Sequence, residues 1–291
     1  MDERLRQAAF EGQRAAARLA LADPRRVTRG VVGAKLGRDV GSSLEFMDHR
    51  VYHPGDDVRR IDWSAYARSD RLHVKTFRDE VCPHLELLID TSASMALEET
   101  AKADATVAMA GALVTAAENS RFTWEVSLAG ERGCQPLAQG SGRPEAWHGL
   151  SFAGDFSVDA ALQQMRPRWR SGSLRMLISD LLFAGDPLAT LRPMAESAAG
   201  LVVIQILAKA DMGVGERGSV RVVDSESGQT LDVAVDAGVE QRYTQLLARH
   251  QQMWQEAAAG LGAVLVPLVA EDLLADWELE SLVHAHVLKA A

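Results

Sequence analysis

Cysteine is nearly absent from this chain: Cys82 and Cys134 are the only two in 291 residues. Two thiols cannot staple a small secreted scaffold, and they cannot supply a four-thiolate zinc site. Long apolar runs are missing as well. The longest, such as Ala263 to Ala270 with Pro267 inside it, fall far short of the about 20 residues a membrane-spanning helix needs. The N-terminus reads Met-Asp-Glu-Arg and has no basic-then-apolar leader pattern, so a cytoplasmic protein is the expectation. An excess of positive charge is lacking too. With 31 Lys+Arg against 40 Asp+Glu the net charge is −9, which argues against a generic binder of nucleic-acid backbones. No Gly-x-x-x-x-Gly-Lys-Ser/Thr occurs, so the chain is not a P-loop ATPase, and its eight histidines show no His-Glu-x-x-His spacing. What is present is the composition of a globular protein, 47% hydrophobic and 24% charged, long enough to bury a sizeable core.

The charge is unevenly spread. Residues 1–84 hold sixteen basic and thirteen acidic residues, a net of +3; residues 85–291 hold fifteen against twenty-seven, a net of −12. Such asymmetry suggests two parts with different surroundings. The first, residues 1–80, starts with a helix former-rich stretch from Arg4 to Ala22 that Asp23-Pro24 ends. It continues as an irregular extension rich in Gly, Asp, Arg and His. Between Arg50 and Glu80 lie seven Arg/Lys and six Asp/Glu around a Pro54-Gly55 turn, a density typical of surface or seam ion pairs. Trp63 inside this block is read as a packing residue.

Residues 81–291 read differently. Strand-like apolar runs at Leu85–Asp90, Phe122–Leu128, Leu174–Ser179, Leu201–Leu207 and Ala263–Leu268 alternate, for the most part, with helical patterns. The helices fall near 98–119, 158–165, 187–198 and 241–259. Nearly continuous apolar strands between helices predict an α/β fold with a mostly parallel sheet covered on both faces. Arg221–Asp224 and Thr230–Val235 predict a small hairpin. The literal Gly213-x-Gly215-x-x-Gly218 is followed by a strand pattern, not a helix, so it has no helix N-terminus to hold a pyrophosphate.

Ligands of open α/β sheets gather beyond the carboxyl ends of the strands. Two runs here end in Asp, Leu-Leu-Ile-Asp90 and Leu-Ile-Ser-Asp180, and the first continues as Asp90-Thr91-Ser92-Ala93-Ser94. Carboxylates and hydroxyls converging at strand tips are hard oxygen donors that suit Mg²⁺ or Mn²⁺. The same residues are also ordinary turn and N-cap chemistry, so the second Asp-terminated strand is what tilts the balance toward a metal.

Asp90-x-Ser92-x-Ser94 with Asp180 resembles the metal-ion-dependent adhesion site of von Willebrand factor type A domains. That resemblance implies a doubly wound parallel sheet with the ion at its top. The run Arg50-Val-Tyr52-His-Pro54-Gly55-Asp56-Asp57-Val-Arg59-Arg60-Ile61-Asp62-Trp63, continuing through Ala67-Arg68 to Glu80, resembles the bacterial domain-of-unknown-function 58 family. Members of that family carry such a block directly before a type A domain. Together the two motifs cover residues 30–185. One departure stands out. Type A domains place a metal-contacting Thr in a later loop, where this chain reads Gly154-Asp155-Phe156-Ser157-Val158-Asp159. Asp155 or Ser157 substitutes there, directly or through water, or the position is left without a ligand.

The resemblance implies a non-catalytic protein-interaction module with Mg²⁺ as its ion, Mn²⁺ and Ca²⁺ being the alternatives. A partner's Asp or Glu would complete the ion's shell, and a MoxR-type AAA+ ATPase is the implied partner. An alternative from another class is a metal-dependent phosphoesterase on the same acids, with Asp155 and Asp159 as candidate bases. A third is interaction through the Arg/Asp block alone.

Overall fold

The apolar runs that end in Asp are buried along their whole length, which requires cover on both faces of the sheet that holds them. The computed structural model describes residues 2–22, 45–53, 58, 61–69, 71–78, 83–98, 100–137, 143–144, 147, 149–215, 217–225, 228–277 and 279–291; for 45–50, 69 and 75–78 only the backbone is described. The chain runs α1 (Glu3–Ala15), β1 (Leu19–Leu21), β2 (Glu45–Val51), α2 (Trp63–Ser69), β3 (His73–Arg78) and β4 (His84–Asp90). A 3-10 turn (Ala93–Ala96) leads to α3 (Lys102–Asn119), β5 (Thr123–Gly130), β6 (Gly133–Pro136), α4 (Val158–Gln164), β7 (Leu174–Ser179) and α5 (Pro187–Ala195). Then come β8 (Gly200–Leu207), a second 3-10 turn (Lys209–Met212), β9 (Gly218–Val223), β10 (Thr230–Val235) and α6 (Ala237–Gly260). The chain closes with β11 (Val264–Val269), α7 (Ala270–Asp276), α8 (Glu280–His284) and β12 (Leu288–Ala290).

The central sheet has the order β11-β8-β7-β4-β5-β6, parallel throughout except for β6, which returns antiparallel on β5. Alternate residues of each strand face opposite layers. Leu85, Leu87 and Ile89 of β4 pack with α3 and with Leu5 of α1, Leu273 of α7 and Leu282 of α8. Leu88 faces the other layer, with Val158 and Leu162 of α4, Leu191 and Met194 of α5 and Trp254 of α6. The predicted mixed α/β architecture with a mostly parallel sheet is therefore observed. The β9–β10 hairpin is also where the pattern put it, with Thr230 opposite Val223.

Three expectations need correction. The helix read from Arg4 to Ala22 stops at Ala15, and Leu19–Leu21 forms β1, paired antiparallel with β12. The partner lies at the far end of the sequence, so no local periodicity announces it. The stretch expected to be irregular contains regular elements: β2 and β3 pair antiparallel, with an irregularity between Phe46 and Asp48, and α2 lies between them in sequence. Asp62 starts α2, its Oδ1 accepting from the backbone N–H groups of Ser64 and Ala65 at 2.9 and 3.0 Å. Trp63, read as a packing residue, is instead 63% exposed and meets Tyr66 edge-on, with ring centroids 6.3 Å apart. The Pro54–Asp57 turn, Arg59, Arg60 and Cys82 lie outside the described residues.

The chain divides into two compact units, Met1–Val32 with Pro83–Ala291, and Gly33–Cys82. The first helix thus belongs with the sheet, and the sequence boundary expected at 80/81 falls outside the described residues. Cys134 is a buried free thiol, its pKa pushed up by burial to about 12, as expected of an inert cysteine. Gly218 opens β9, so the Gly-x-Gly-x-x-Gly run leads into a strand.

Candidate metal centre

β4 and β7 are neighbours in the sheet, and the order of the chain reverses between them: β5 lies on one side of β4, and β7 and β8 on the other. Loops leaving such a pair at their carboxyl ends part in opposite directions and open a crevice. Asp90 ends β4 and Asp180 follows β7, so both acids stand at this crevice.

Asp90 is 1% exposed, and both of its oxygens are engaged. Oδ1 accepts the Ser92 N–H at 2.9 Å, an Asx-type turn that bends the chain out of the strand; Oδ2 accepts the Ser179 hydroxyl at 2.6 Å. Thr91 points its hydroxyl away, donating to the Ala129 carbonyl on β5 at 2.6 Å. Ser92 then caps the 3-10 turn that holds Ser94, and the turn brings their Oγ atoms to 3.0 Å. Burial first, and then the Asp180 carboxylate, raise the pKa of Asp90 above the ordinary carboxylate range, against the bonds from Ser179 and Ser92.

Asp180 is held at every polar atom. Its N–H meets Met95 Sδ at 3.2 Å, its carbonyl accepts from Gln205 Nε2 at 2.9 Å, and Oδ1 accepts the Leu182 N–H at 3.0 Å. Oδ2 takes a bond of 2.9 Å from Lys102 Nζ. Leu181 adopts a left-handed backbone, φ +59°, which costs a β-carbon residue on the order of 1–3 kcal/mol. Its N–H donates to Ser179 Oγ, and its carbonyl accepts from His250 Nε2. Lys102, the first residue of α3, is 0% exposed and also pairs with Asp211 Oδ2 at 3.1 Å. Burial lowers the pKa of this ammonium, but Asp180 and Asp211 more than compensate, so it stands above its ordinary value. Asp211 is fixed in turn by the Ala208 N–H on Oδ2 at 2.8 Å and by Tyr243 Oη on its carbonyl at 2.7 Å.

Of the six residues read from sequence, Asp90, Ser92, Ser94 and Asp180 are therefore set at adjoining strand tips. The loop carrying the other two is tied in through its backbone: Gly154 bridges Ser92, and the Ala93 N–H donates to the Gly154 carbonyl at 2.9 Å. Their side chains are not directed there by any bond. Asp155 is exposed, and Ser157 donates its hydroxyl to Asp159. Sequence reasoning missed Lys102, Asp211 and Ser179. A signal existed for two of them. Lys102 is the only basic residue of the Ala-rich α3, and Asp211 lies four residues beyond the end of β8, a third acid past a strand tip.

The donors fit an oxygen-loving divalent ion. Mg²⁺ takes octahedral bonds of about 2.0–2.1 Å, whose adjacent ligands lie about 3.0 Å apart. Ser92 and Ser94 already hold their hydroxyl oxygens at that separation.

A family described as "Protein of unknown function DUF58" matches residues 48–253. Among curated relatives, the uncharacterized proteins Rv1480 of Mycobacterium tuberculosis and Mb1516 of Mycobacterium bovis are each 28% identical over 262 residues, covering 84% of this chain and 80% of theirs. Two solved structures are similar at 13% identity. The conserved hypothetical protein BatB from Bacteroides thetaiotaomicron has a TM-score of 0.34, covering 70% of this chain and 98% of its own. An aerotolerance-related membrane protein from Bacteroides fragilis has a TM-score of 0.37, covering 64% and 91%. In this chain, no helix among the described residues is long and apolar enough to cross a membrane.

Proposed function

The chain belongs to the family described as protein of unknown function DUF58, and from its strand-tip geometry we propose a non-catalytic, metal-dependent protein-interaction module of the doubly wound von Willebrand type A kind. The observation that carries this reading is the Ser92–Ser94 pair, two hydroxyl oxygens at chelating distance beside buried Asp90 and Asp180. Mg²⁺ is the proposed ion, held by Ser92 and Ser94 with the two carboxylates beside them. The ion supplies an electrophilic centre, and this chain's residues leave part of its shell open for an Asp or Glu of a protein ligand. Charge supports the reading. Asp90, Asp180 and Asp211 bring three potential negative charges against the single ammonium of Lys102, leaving a deficit of two when all are ionised.

A binding role is favoured over a phosphoesterase because, among the described residues, the acids at the tips are already engaged and the exposed Asp155 is held toward them by no bond. Asp90 and Asp180 use both oxygens on internal donors, and Asp159 is engaged by Ser157. A MoxR-type AAA+ ATPase in a cytoplasmic setting is the proposed partner. The test is Mn²⁺ titration and partner pull-down with wild type and Asp90→Ala. The expected outcome is loss of ion binding in the variant, together with loss of pull-down both in the variant and in wild type treated with EDTA. Pull-down unchanged by EDTA rejects the reading, and turnover of generic phosphoesters that disappears in Asp180→Ala favours the hydrolase.

A further inference from the structure

The amino end of the same sheet carries a second group of ligand atoms, unrelated to the strand tips. His84 heads β4 and Glu86 follows two residues later, so both project to one face. Glu125 stands directly beside Glu86 in the parallel register of β5. One ligand atom from each of the three lies within 4.8 Å of the other two. On β4, His84 lies six positions and Glu86 four positions before Asp90, about 20 and about 13 Å of extended chain.

Two features of the group are unexplained by packing. His84 is only 6% exposed, yet its Nε2 has no hydrogen-bond partner among the described residues. Nδ1 lies 2.7 Å from Thr123 Oγ1. A ring that donates from Nδ1 to that hydroxyl turns the lone pair of Nε2 toward the carboxylates, the arrangement in which metal-bound histidines are held by an outer partner. Glu86 is equally buried, and among the described residues no basic side chain bonds to it except this ring; Oε1 accepts the Arg170 backbone N–H at 2.9 Å. Arg170 acts from a distance on both His84 and Glu86, and Arg175 on Glu86, while Arg175 directs Nη1 to the carbonyls of Met194 and Glu196 at 2.9 and 2.7 Å. The two carboxylates thus stand beside one imidazole nitrogen, a ligand atom of each within 4.8 Å of it and of the other.

We infer that His84, Glu86 and Glu125 form a divalent transition-metal site, of zinc type, with a fourth position open to water. One imidazole nitrogen and two carboxylates form a borderline N/O donor set that selects zinc, in contrast to the all-oxygen tips. The spacing agrees. Tetrahedral bonds of about 2.0–2.1 Å place ligand atoms about 3.3 Å apart, and His84 Nε2 already lies 3.5 Å from Glu86 Oε1. Glu125, half-buried on the neighbouring strand, closes the set, so the ion pins β4 to β5 at the end opposite the crevice.

Cobalt(II) titration of the metal-stripped full chain tests this, in wild type and in Asp90→Asn, which disables the strand-tip site. The expected result is one saturable equivalent with the intense visible absorption of low-coordinate Co²⁺, retained in Asp90→Asn and displaced by Zn²⁺. His84→Ala should abolish the absorption, and the more exposed Glu125→Gln, which leaves the buried pair intact, should weaken Co²⁺ binding at least tenfold. Absence of the band in wild type, its survival in His84→Ala, or its loss in Asp90→Asn with folding intact overturns the site. Because Asp90→Asn leaves this group untouched, failure here and failure of the strand-tip reading give different results.

Discussion

A lysine with no exposed surface persists only where its charge is answered, and Lys102 is answered by Asp180 and Asp211 together. The ammonium thereby fastens the residue after β7 to the turn after β8, fixing one wall of the crevice. Removing it leaves two buried carboxylates facing each other. Lys102→Met is expected to cost about 3–5 kcal/mol in urea unfolding with EDTA present, the usual penalty for breaking one side of a buried pair. Excess Mn²⁺ should return more stability to this variant than it adds to wild type, because a divalent ion can then answer the orphaned acids. Equal Mn²⁺ effects on both proteins would show that the ion and the ammonium do not share a field.

At the scale of elements, α1 and α3 pack against each other through glycine. Their backbones approach so closely that a β-carbon on Gly12 would collide with the Ala108 carbonyl oxygen, and one on Gly111 would lie 2.6 Å from that of Ala9. Both contacts are with backbone, so neither can be relieved by a rotamer change. Gly12→Val is therefore expected to push α1 off α3, with a loss of about 1–3 kcal/mol or more and early proteolysis within residues 3–15. A fold that tolerates valine there without change in Tm would contradict this packing. The glycines were present in the sequence, but their meaning depends on which helix lies opposite, and nothing local reports that. The same limit explains what was readable at the crevice. Asp90 and Asp180 terminate apolar strands, so their place follows from strand length alone. Asp211 and Lys102 reach the site through a turn and a helix start, and their convergence depends on the order β8-β7-β4, a fact of topology. β1 and β12 were invisible for the same reason: a three-residue strand has too little period to be seen without its partner.

Viewed as one body, the sheet unit uses α3 as a strut about 27 Å long, eighteen residues at 1.5 Å each. Its first residue, Lys102, serves the crevice. Its last turn serves the chain ends, Asn119 Nδ2 donating to the Leu19 carbonyl at 2.7 Å and Ser120 Oγ accepting the Leu21 N–H at 2.7 Å. β1 so anchored pairs with β12, whose Leu288 is buried beside Leu21 in register. The charge division follows the same geometry: the −12 segment read from sequence includes all four charged groups of the crevice, Asp90, Asp180, Asp211 and Lys102. Deleting residues 288–291 should then act on one end of the strut only. The expected loss is about 3 kcal/mol, chiefly the burial of Leu288, seen as a lowered Tm. Amide exchange should accelerate at 19–21 and 119–121, while the first turns of α3, residues 103–108, keep their protection because Lys102 still holds that end to Asp180 and Asp211. Equal acceleration along the whole helix would show instead that α3 is released as a single unit, and that its two ends are not anchored independently.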